Sequence, residues 1–312
     1  TFDKNIVRSS TRFTNKNALE NIIDEETKLA DEANREREKA RNIIILGILE
    51  FIVFVIVVIF LVIKVYLKHD KEHKVDFNME YYRDFPNEYG PEILEFLIKR
   101  RNSTDSYSAS ILNMIYKKCV SIEETANKKD YILTKVEKFP EPLTKLEGDI
   151  LSFLINDIGN GNSVKLSDIK KYGKRERTAK EFMSHFDSWK HEVERESFKY
   201  NFFEDRKTGG YIAILIVLTV LNFFIGIATE IFITSFLGMF IGIGATIYMA
   251  FSSKRTVSGM LEYKKWMAFK KFLVDFGRFD EKELPEIILW EKYLVYATVL
   301  GVADKLEQTM KI

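Results

Sequence analysis

Two apolar runs set the terms on which this chain can fold. The first, IIILGILEFIVFVIVVIFLVIKVYLK (Ile43–Lys68), is long enough to cross a hydrocarbon core of about 30 Å as a helix rising about 1.5 Å per residue. The second, Gly210–Phe251, has 42 residues and would extend about 63 Å as one straight helix. That is about twice the core, so the run reads as two spans, 210–229 and 231–251, joined at Glu230. Placing Glu230 at the turn spares its carboxylate the bilayer centre, where it would cost at least about 2.5–3.5 kcal/mol. Three spans are therefore expected, the first over 43–67.

Lys and Arg positions give an orientation. The expected turn at Glu230 has none nearby, whereas Arg206 and Lys207 precede the hairpin and Lys254 and Arg255 follow it. The positive-inside rule then places 69–207 and 252–312 in the cytoplasm and 1–42 outside. The first span alone does not decide, because basic residues flank both of its ends. The segment Glu20–Asn42 carries good helix formers and opposite charges at i, i+4, such as Asp31 and Arg35, and reads as an extracytoplasmic juxtamembrane helix over 1–42 running into the span.

Depth along the spans pairs two polar residues. Glu50 lies seven positions into the first span from its outer end, and Asn222 about seven positions inward from the hairpin turn. Both fall about 10 Å below the outer interface, and polar groups in hydrocarbon seek partners worth about 1–2 kcal/mol or less. Glu50, protonated, is expected to face Asn222 across a helix contact. Packing or snorkelling is the leading reading; a proton or ion relay is the alternative, and it lacks further ionisable groups in series. In the third span Ser235, Gly238, Gly242 and Thr246 form a small-residue stripe containing G-x-x-x-G. Such a stripe lets helix backbones approach closely, first within the chain and alternatively between two copies.

The charged remainder divides at Pro140 and Pro142. Over 75–139, Pro91 opens a helix (PEILEFLIKRR), a second helix around Ser106–Cys119 has one apolar face, and VSIEE and DYILTKV alternate as a hairpin. Over 140–208, Thr144 and Glu147 form a capping box. GNGNS (Gly159–Ser163) is a turn, and Phe182, Phe186, Trp189 and Val193 recur at helical spacing along Arg175–Ser197. Tyr200–Phe203 reads as a short strand. The fold expected is an α-helical membrane protein of three spans with an α+β cytoplasmic domain of two winged-helix-like units and cytoplasmic C-terminal helices over 252–312.

Lys165, Lys170, Lys171, Lys174, Arg175, Arg177 and Lys180 form the densest basic run. Winged-helix likeness with positive charge raises DNA contact through phosphates. The segment Lys64–Lys207 is nearly neutral, however, with 27 basic against 26 acidic residues, and the whole chain has a net charge of +1. A solvated face, or a surface for anionic lipid or a protein partner centred on Lys170, Lys171, Lys174, Arg175 and Arg177, is favoured over nucleic acid.

The search for chemistry finds little. His69 and His73 stand at i, i+4, without a third metal ligand or a His-Glu-x-x-His pattern. His185 and His191 would face different ways on a helix. No nucleophile elbow, dinucleotide loop or kinase set is present. The single cysteine, Cys119, excludes an internal disulfide and reads as a core thiol. No catalytic residue, cofactor or metal is expected, and the chain is read as a non-enzyme.

Past the third span, Arg255-Thr256-x-x-Gly259, Trp266-x-Ala268-Phe269-x-x-Phe272-Leu273 and Tyr293-Leu294-x-Tyr296-Ala297-x-x-Leu300-Gly301-Val302 follow in order. The Trp266 helix is apolar over most of its circumference and needs cover from the interface or the cytoplasmic domain. The apolar stretch Tyr293–Ala303 is too short to span. In these residues the chain resembles the C-terminal region of YciQ-like bacterial membrane proteins, a domain family of unknown function, and the similarity extends back to the first span. The resemblance implies an upstream signal peptide and an extracytoplasmic β-rich domain; with Thr1 in place of Met, the chain is expected to be a fragment or processed product. A helix-to-strand motif usual in the family is degenerate here, as ILNMIYKKCVSI (Ile111–Ile122), and the resemblance supplies no catalytic residues. The function expected is a membrane-anchored scaffold or sensor linking an outer domain to cytoplasmic partners, with the bilayer, a cytoplasmic protein and a second copy as candidate partners. The alternatives are a transporter subunit and, behind it, a membrane-anchored DNA-binding regulator.

Overall fold

The structure is a computed structural model, and it describes residues 19–275 and 287–310. The chain forms two compact units, one from residues up to 69 with 206–252, the other from 70–205 with 253 onward.

The first unit is helical. Helix α1 (Leu19–Val65) runs unbroken from the charged segment into the apolar one and ends in a π-helical turn over Tyr66–Asp70. Helices α7 (Gly209–Ala228) and α8 (Phe232–Phe251) form the hairpin. All three helices are long and apolar enough to cross a membrane. Glu230 sits in the turn at φ 59°. There the Ile231 amide donates to Gly226 O at 2.9 Å and the Glu230 amide to Ile227 O at 3.1 Å. These paired bonds satisfy the last carbonyls of α7 and close it as a Schellman motif, with Glu230 where glycine is usual. The bundle interior is a modest cluster of Phe54, Val58, Leu61, Val65, Leu215 and Met249. Most other apolar side chains of these helices are exposed, as lipid-facing positions are.

The second unit begins with α2 (Pro91–Lys99) and α3 (Thr104–Tyr116), followed by β1 (Val120–Glu124) and β2 (Tyr131–Lys135). Next come α4 (Lys145–Ser152), β3 (Ser163–Lys165), α5 (Leu166–Tyr172) and α6 (Glu176–Ser197). After the hairpin the chain adds α9 (Val257–Val274), α10 (Ile287–Leu300) and α11 (Ala303–Met310). Thr144 caps α4 reciprocally with Glu147, its Oγ1 accepting from the Glu147 amide at 3.1 Å.

The division into 75–139 and 140–208 does not hold. Strand β3, from the second segment, pairs antiparallel with β2 of the first, giving a single sheet ordered β1-β2-β3. One hydrophobic cluster then runs through both segments and the C-terminal helices. The cover for α9 and α10 comes from this core, where Trp266, Phe269 and Leu273 are fully buried beside Leu94 and Leu97. Phe85 packs against Phe269, Tyr293 and Tyr296 at ring distances of 5.2, 5.2 and 5.3 Å. Cys119 is buried, but it lies beyond α3, which ends when Lys118 adopts φ 57° and the chain turns into β1. Of the strand read over Tyr200–Phe203, a 3₁₀ turn at Phe198–Tyr200 and a single bridge, Phe203 to Arg255, are what forms.

Candidate functional site

Three polar constellations stand out among the described residues. The first lies inside the helical bundle. Asn222 is fully buried, and its Nδ2 donates to Glu50 Oε2 at 3.1 Å and more loosely to Oε1 at 3.5 Å. Its Oδ1 rests on Gly238, where any Cβ would collide with it. One helical turn further along α8, Gly242 receives the Thr219 side chain in the same way. Gly238 and Gly242 therefore both face α7. At the tip, Gly47 of α1 lies against Thr229 and Ile231, and a Cβ there would meet Ile231 Cδ1 at 2.8 Å. The carboxylate of Glu50 thus has a neutral amide as its partner, and between Gly209 and Phe251 the sequence offers no Lys, Arg or His. That arrangement ties α1 to α7 through a side-chain hydrogen bond.

The second constellation is a stripe of buried carboxylates in the globular unit. Glu92 and Glu95 lie on α2, and Glu147 lies in the first turn of α4; each is no more than 2 % exposed. Glu95 accepts from Lys99 Nζ at 2.7 Å, from the Ser103 amide at 2.8 Å and from Ser103 Oγ at 2.6 Å. Burial drives its pKa upward, but Lys99 and the Ser103 donors outweigh that and hold it below the usual carboxylate range. Glu92 accepts from Ser110 Oγ at 2.7 Å and has no ion-pair partner, so burial raises its pKa. Glu147 takes Lys117 Nζ at 2.8 Å and Asn113 Nδ2 at 2.8 Å. Asn102 joins the stripe through Glu92 O at 2.7 Å and Ser106 Oγ at 3.1 Å. Beside the stripe, Trp266 Nε1 donates to Tyr89 Oη at 2.6 Å and Tyr296 Oη to Tyr89 O at 3.0 Å. Burial pushes the Tyr89 and Tyr296 phenols well above their ordinary value. With these partners filled, the stripe offers its groups to the fold rather than to a substrate.

The third is a clamp around Arg255. Its guanidinium donates to Leu97 O at 2.9 and 3.0 Å, to Ile98 O at 2.7 Å and to Glu72 Oε1 at 2.6 Å. It stacks over Tyr263 at 4.1 Å. Arg255 thereby caps the last carbonyls of α2, which no backbone amide serves. Thr256 is the N-cap of α9, accepting from the Gly259 amide at 3.0 Å, while its own amide donates to Phe202 O at 2.9 Å. Gly259 is bare because Phe202 O passes where its Cβ would stand. Next in line, Glu204 N donates to Lys254 O at 3.0 Å and His73 lies 2.5 Å from Glu204 Oε1. The Arg-Thr-x-x-Gly pattern is thus a splice that ties residues 70–75, 201–205 and 253–259 together.

Residues 78–310 match a family model described as the C-terminal domain of a predicted membrane protein, DUF2207. The chain belongs to the DUF2207 family. Comparisons with curated proteins and with solved structures find no match. The DUF2207 match takes in α2 to α11, hence the carboxylate stripe, the Arg255 end of the clamp, Asn222, Gly238 and Gly242. Helix α1 with Glu50 lies upstream of the range, as do Glu72 and His73. With three apolar helices of spanning length, this DUF2207 chain is a multi-span membrane protein.

The basic run of the DUF2207 domain is exposed throughout, on the end of α5, the turn after it and the start of α6. Lys171 pairs with Asp168 at 3.4 Å, Arg177 with Glu181 at 3.6 Å and Lys180 with Glu176 at 2.8 Å. Among the described residues, Lys165 on β3, Lys170, Lys174 and Arg175 form no ion pair. His69 is buried in the π-helical turn against Tyr211, whereas His73 lies beyond the turn. His185 stacks on Phe153 at 3.9 Å, and burial lowers its pKa. Among the described residues no group of three or more His, Cys, Asp or Glu is arranged to hold a metal ion. Sequence reasoning did not single out Glu92, Glu95, Glu147 or Arg255 as a connected set. The available signal was the excess of serines at one face of α3, at 103, 106 and 110, opposite acidic positions three apart on α2.

Proposed function

We propose that this chain is a non-enzymatic, membrane-anchored scaffold or sensor, linking what lies at the outer end of α1 to partners of the globular unit in the cytoplasm of a bacterial cell. The observation that carries the reading is the continuity of α1. A helix of 47 residues, about 70 Å long, holds an exposed charged part and an apolar part that meets Asn222 through Glu50. A displacement at Leu19 reaches the bundle with no loop to absorb it. The absence of Lys and Arg near Glu230, against Arg206, Lys207, Lys254 and Arg255 on the flanks, supports cytoplasmic placement of 70–205 and 253–310. The carboxylate stripe supports a non-catalytic role, because its groups are paired and enclosed. The sheet with α4, α5 and α6 is read as one winged-helix-like body serving protein contact, with Lys170, Lys174 and Arg175 as the free charges at its surface.

The test is affinity capture of the full-length protein from mild detergent, with and without a Gly-Pro insertion after Arg41 that breaks α1. The reading expects a partner retained in fixed ratio by the intact protein and retained differently once α1 is broken. Identical capture by both forms, or capture of nothing, removes it. A transporter subunit is a second reading, favoured by the carboxylate of Glu50 at membrane depth. It expects proteoliposome uptake that Glu50→Gln abolishes.

A further inference from the structure

The globular unit leaves an apolar patch bare where its chain leads toward the spanning helices. Phe198 is 63 % exposed, Tyr200 44 % and Val257 59 %. They are far apart in sequence, but the backbone holds them together. The 3₁₀ turn at Phe198–Tyr200 is followed by Asn201 at φ 50°, which sends Phe202 into the core and leaves Phe198 outside. Asn201 O accepts from Thr256 Oγ1 at 2.8 Å and Phe202 O from the Thr256 amide, so Val257 begins α9 beside Asn201. Tyr200 stacks on Phe202 with centroids 5.3 Å apart, with part of its ring left in the open. The other strongly exposed apolar side chains of the unit, Met79, Ile122, Tyr131, Leu166 and Met183, lie on other elements.

We infer that this patch is a bilayer-docking surface, with Phe198, Tyr200 and Val257 seated in the headgroup layer of the membrane that α7 and α8 cross. Covalent reach argues for lipid. Val257 follows Phe251, the end of α8, by six positions, about 20 Å of fully extended chain at most. Tyr200 precedes Gly209, the start of α7, by nine positions, about 30 Å at most. No protein partner is guaranteed within that distance, whereas the bilayer is. The chemistry suits the interface: an aromatic ring with a polar tip, a phenyl ring and a branched aliphatic, with Lys199 between the rings, its ammonium paired with Glu196 and its stem able to lie on apolar surface. Left in water, Phe198, Tyr200 and Val257 expose apolar surface on segments that the Thr256 bonds hold side by side. The splice around Arg255 keeps the patch rigid, so it docks as a preformed element.

The lone cysteine makes the test direct. In a Cys119→Ser background, the full chain takes a nitroxide at Phe198→Cys, at Val257→Cys or, for reference, at Met183→Cys on α6. Each is reconstituted into vesicles of phosphatidylcholine and phosphatidylglycerol. The inference expects the ratio of oxygen to nickel-chelate accessibility to be several-fold higher at 198 and 257 than at 183. Equal, water-like values at all three positions overturn it. Low accessibility to both reagents at 198 and 257 also overturns it, because a protein then covers the patch. Should a nitroxide disturb the fold, Phe198→Trp gives the same decision by fluorescence. In a Trp290→Phe background, needed because Trp290 is only partly buried, its added emission is quenched by brominated lipid if the inference holds and by aqueous iodide if it fails; Trp189 and Trp266 are buried and contribute a constant background.

Discussion

At Gly238 the helical bundle lets Asn222 rest on bare backbone, whereas at Trp266 the globular unit fills its centre with an indole that donates to Tyr89. Lipid tails are as apolar as leucine, so burying apolar side chains between spanning helices gains little. What holds α1, α7 and α8 is close approach, at Gly47, Gly238 and Gly242, with polar contacts from Asn222 to Glu50 and from Ser235 Oγ to Phe223 O at 3.1 Å. In water the same chain gains from every ring it hides, and the core that results tolerates three carboxylates because each has donors. The two regions teach that a polar group is governed by its alternatives: in lipid any partner is better than none, while in the globular core the partners must outweigh lost hydration.

The contrast breaks first, and most visibly, at Trp266. Trp266→Ala is expected to destabilise the globular unit by about 3–5 kcal/mol, read from chemical unfolding of the detergent-solubilised chain, while leaving the bundle intact. A loss below 1 kcal/mol, on the order of a surface change, would show that rings do not carry this core. Arg255→Met should cost about 2 kcal/mol by the same measurement, since charge-assisted bonds to the Leu97 and Ile98 carbonyls vanish. Arg255→Lys should recover less than half of that, because an ammonium lacks the planar fork. Full recovery would reduce the clamp to a point charge.

Glu92 sharpens the comparison through pH. Its carboxyl is held above the ordinary glutamate value in the folded chain, so folding takes up a proton. Its contribution therefore favours the fold at low pH and is lost progressively as pH rises from the ordinary glutamate value toward the folded one. Glu92→Gln should remove that decline, so the variant gains on the parent as pH rises and matches it more closely in acid. Glu95 pulls the other way, its contribution present above the ordinary value and lost in acid, so the parent's profile is the sum of the two. A variant whose pH profile parallels the parent's would place Glu92 outside the titrating set. The smallest effect belongs to the bundle. A double-mutant cycle of Glu50→Leu and Asn222→Leu, by unfolding in mixed micelles, should give a coupling of about 0.6 and no more than about 1.7 kcal/mol. Zero coupling would leave the glycines alone to hold α1.

Much of this was legible where one force dominates. The length of the second apolar run and its lone acid locate the hairpin turn, and depth counting along ideal helices puts Glu50 and Asn222 at one level. The capping box at Thr144 and the aromatic spacing on α6 are local signals. The sheet was legible only in part: β1 and β2 alternate plainly, but β3 has three residues and lies beside a turn sequence, so nothing local tells it to join β2. That missing strand is why two units were expected in place of one. Cys119 was set on a helix because apolar spacing continued past Tyr116, while the left-handed residue that ends the helix is a lysine, with no glycine to announce it. Nothing in PEILEFLIKRR signals that Glu92 and Glu95 are buried, because the donors that make it tolerable, Ser110 for Glu92 and Ser103 with Lys99 for Glu95, are brought to them by the fold. Arg255 serves α2 from 157 and 158 positions away, a pairing that no window of sequence contains.

The turn at Glu230 bears on how the protein is made. Three residues, 229–231, separate α7 from α8. Such a short link gives neither helix room to settle in lipid before its neighbour, so the pair must leave the translocation machinery as a single folded-back hairpin. Gly226 and Ser235, which meet just beneath the bend, would then be the first tertiary contact this part of the nascent chain makes.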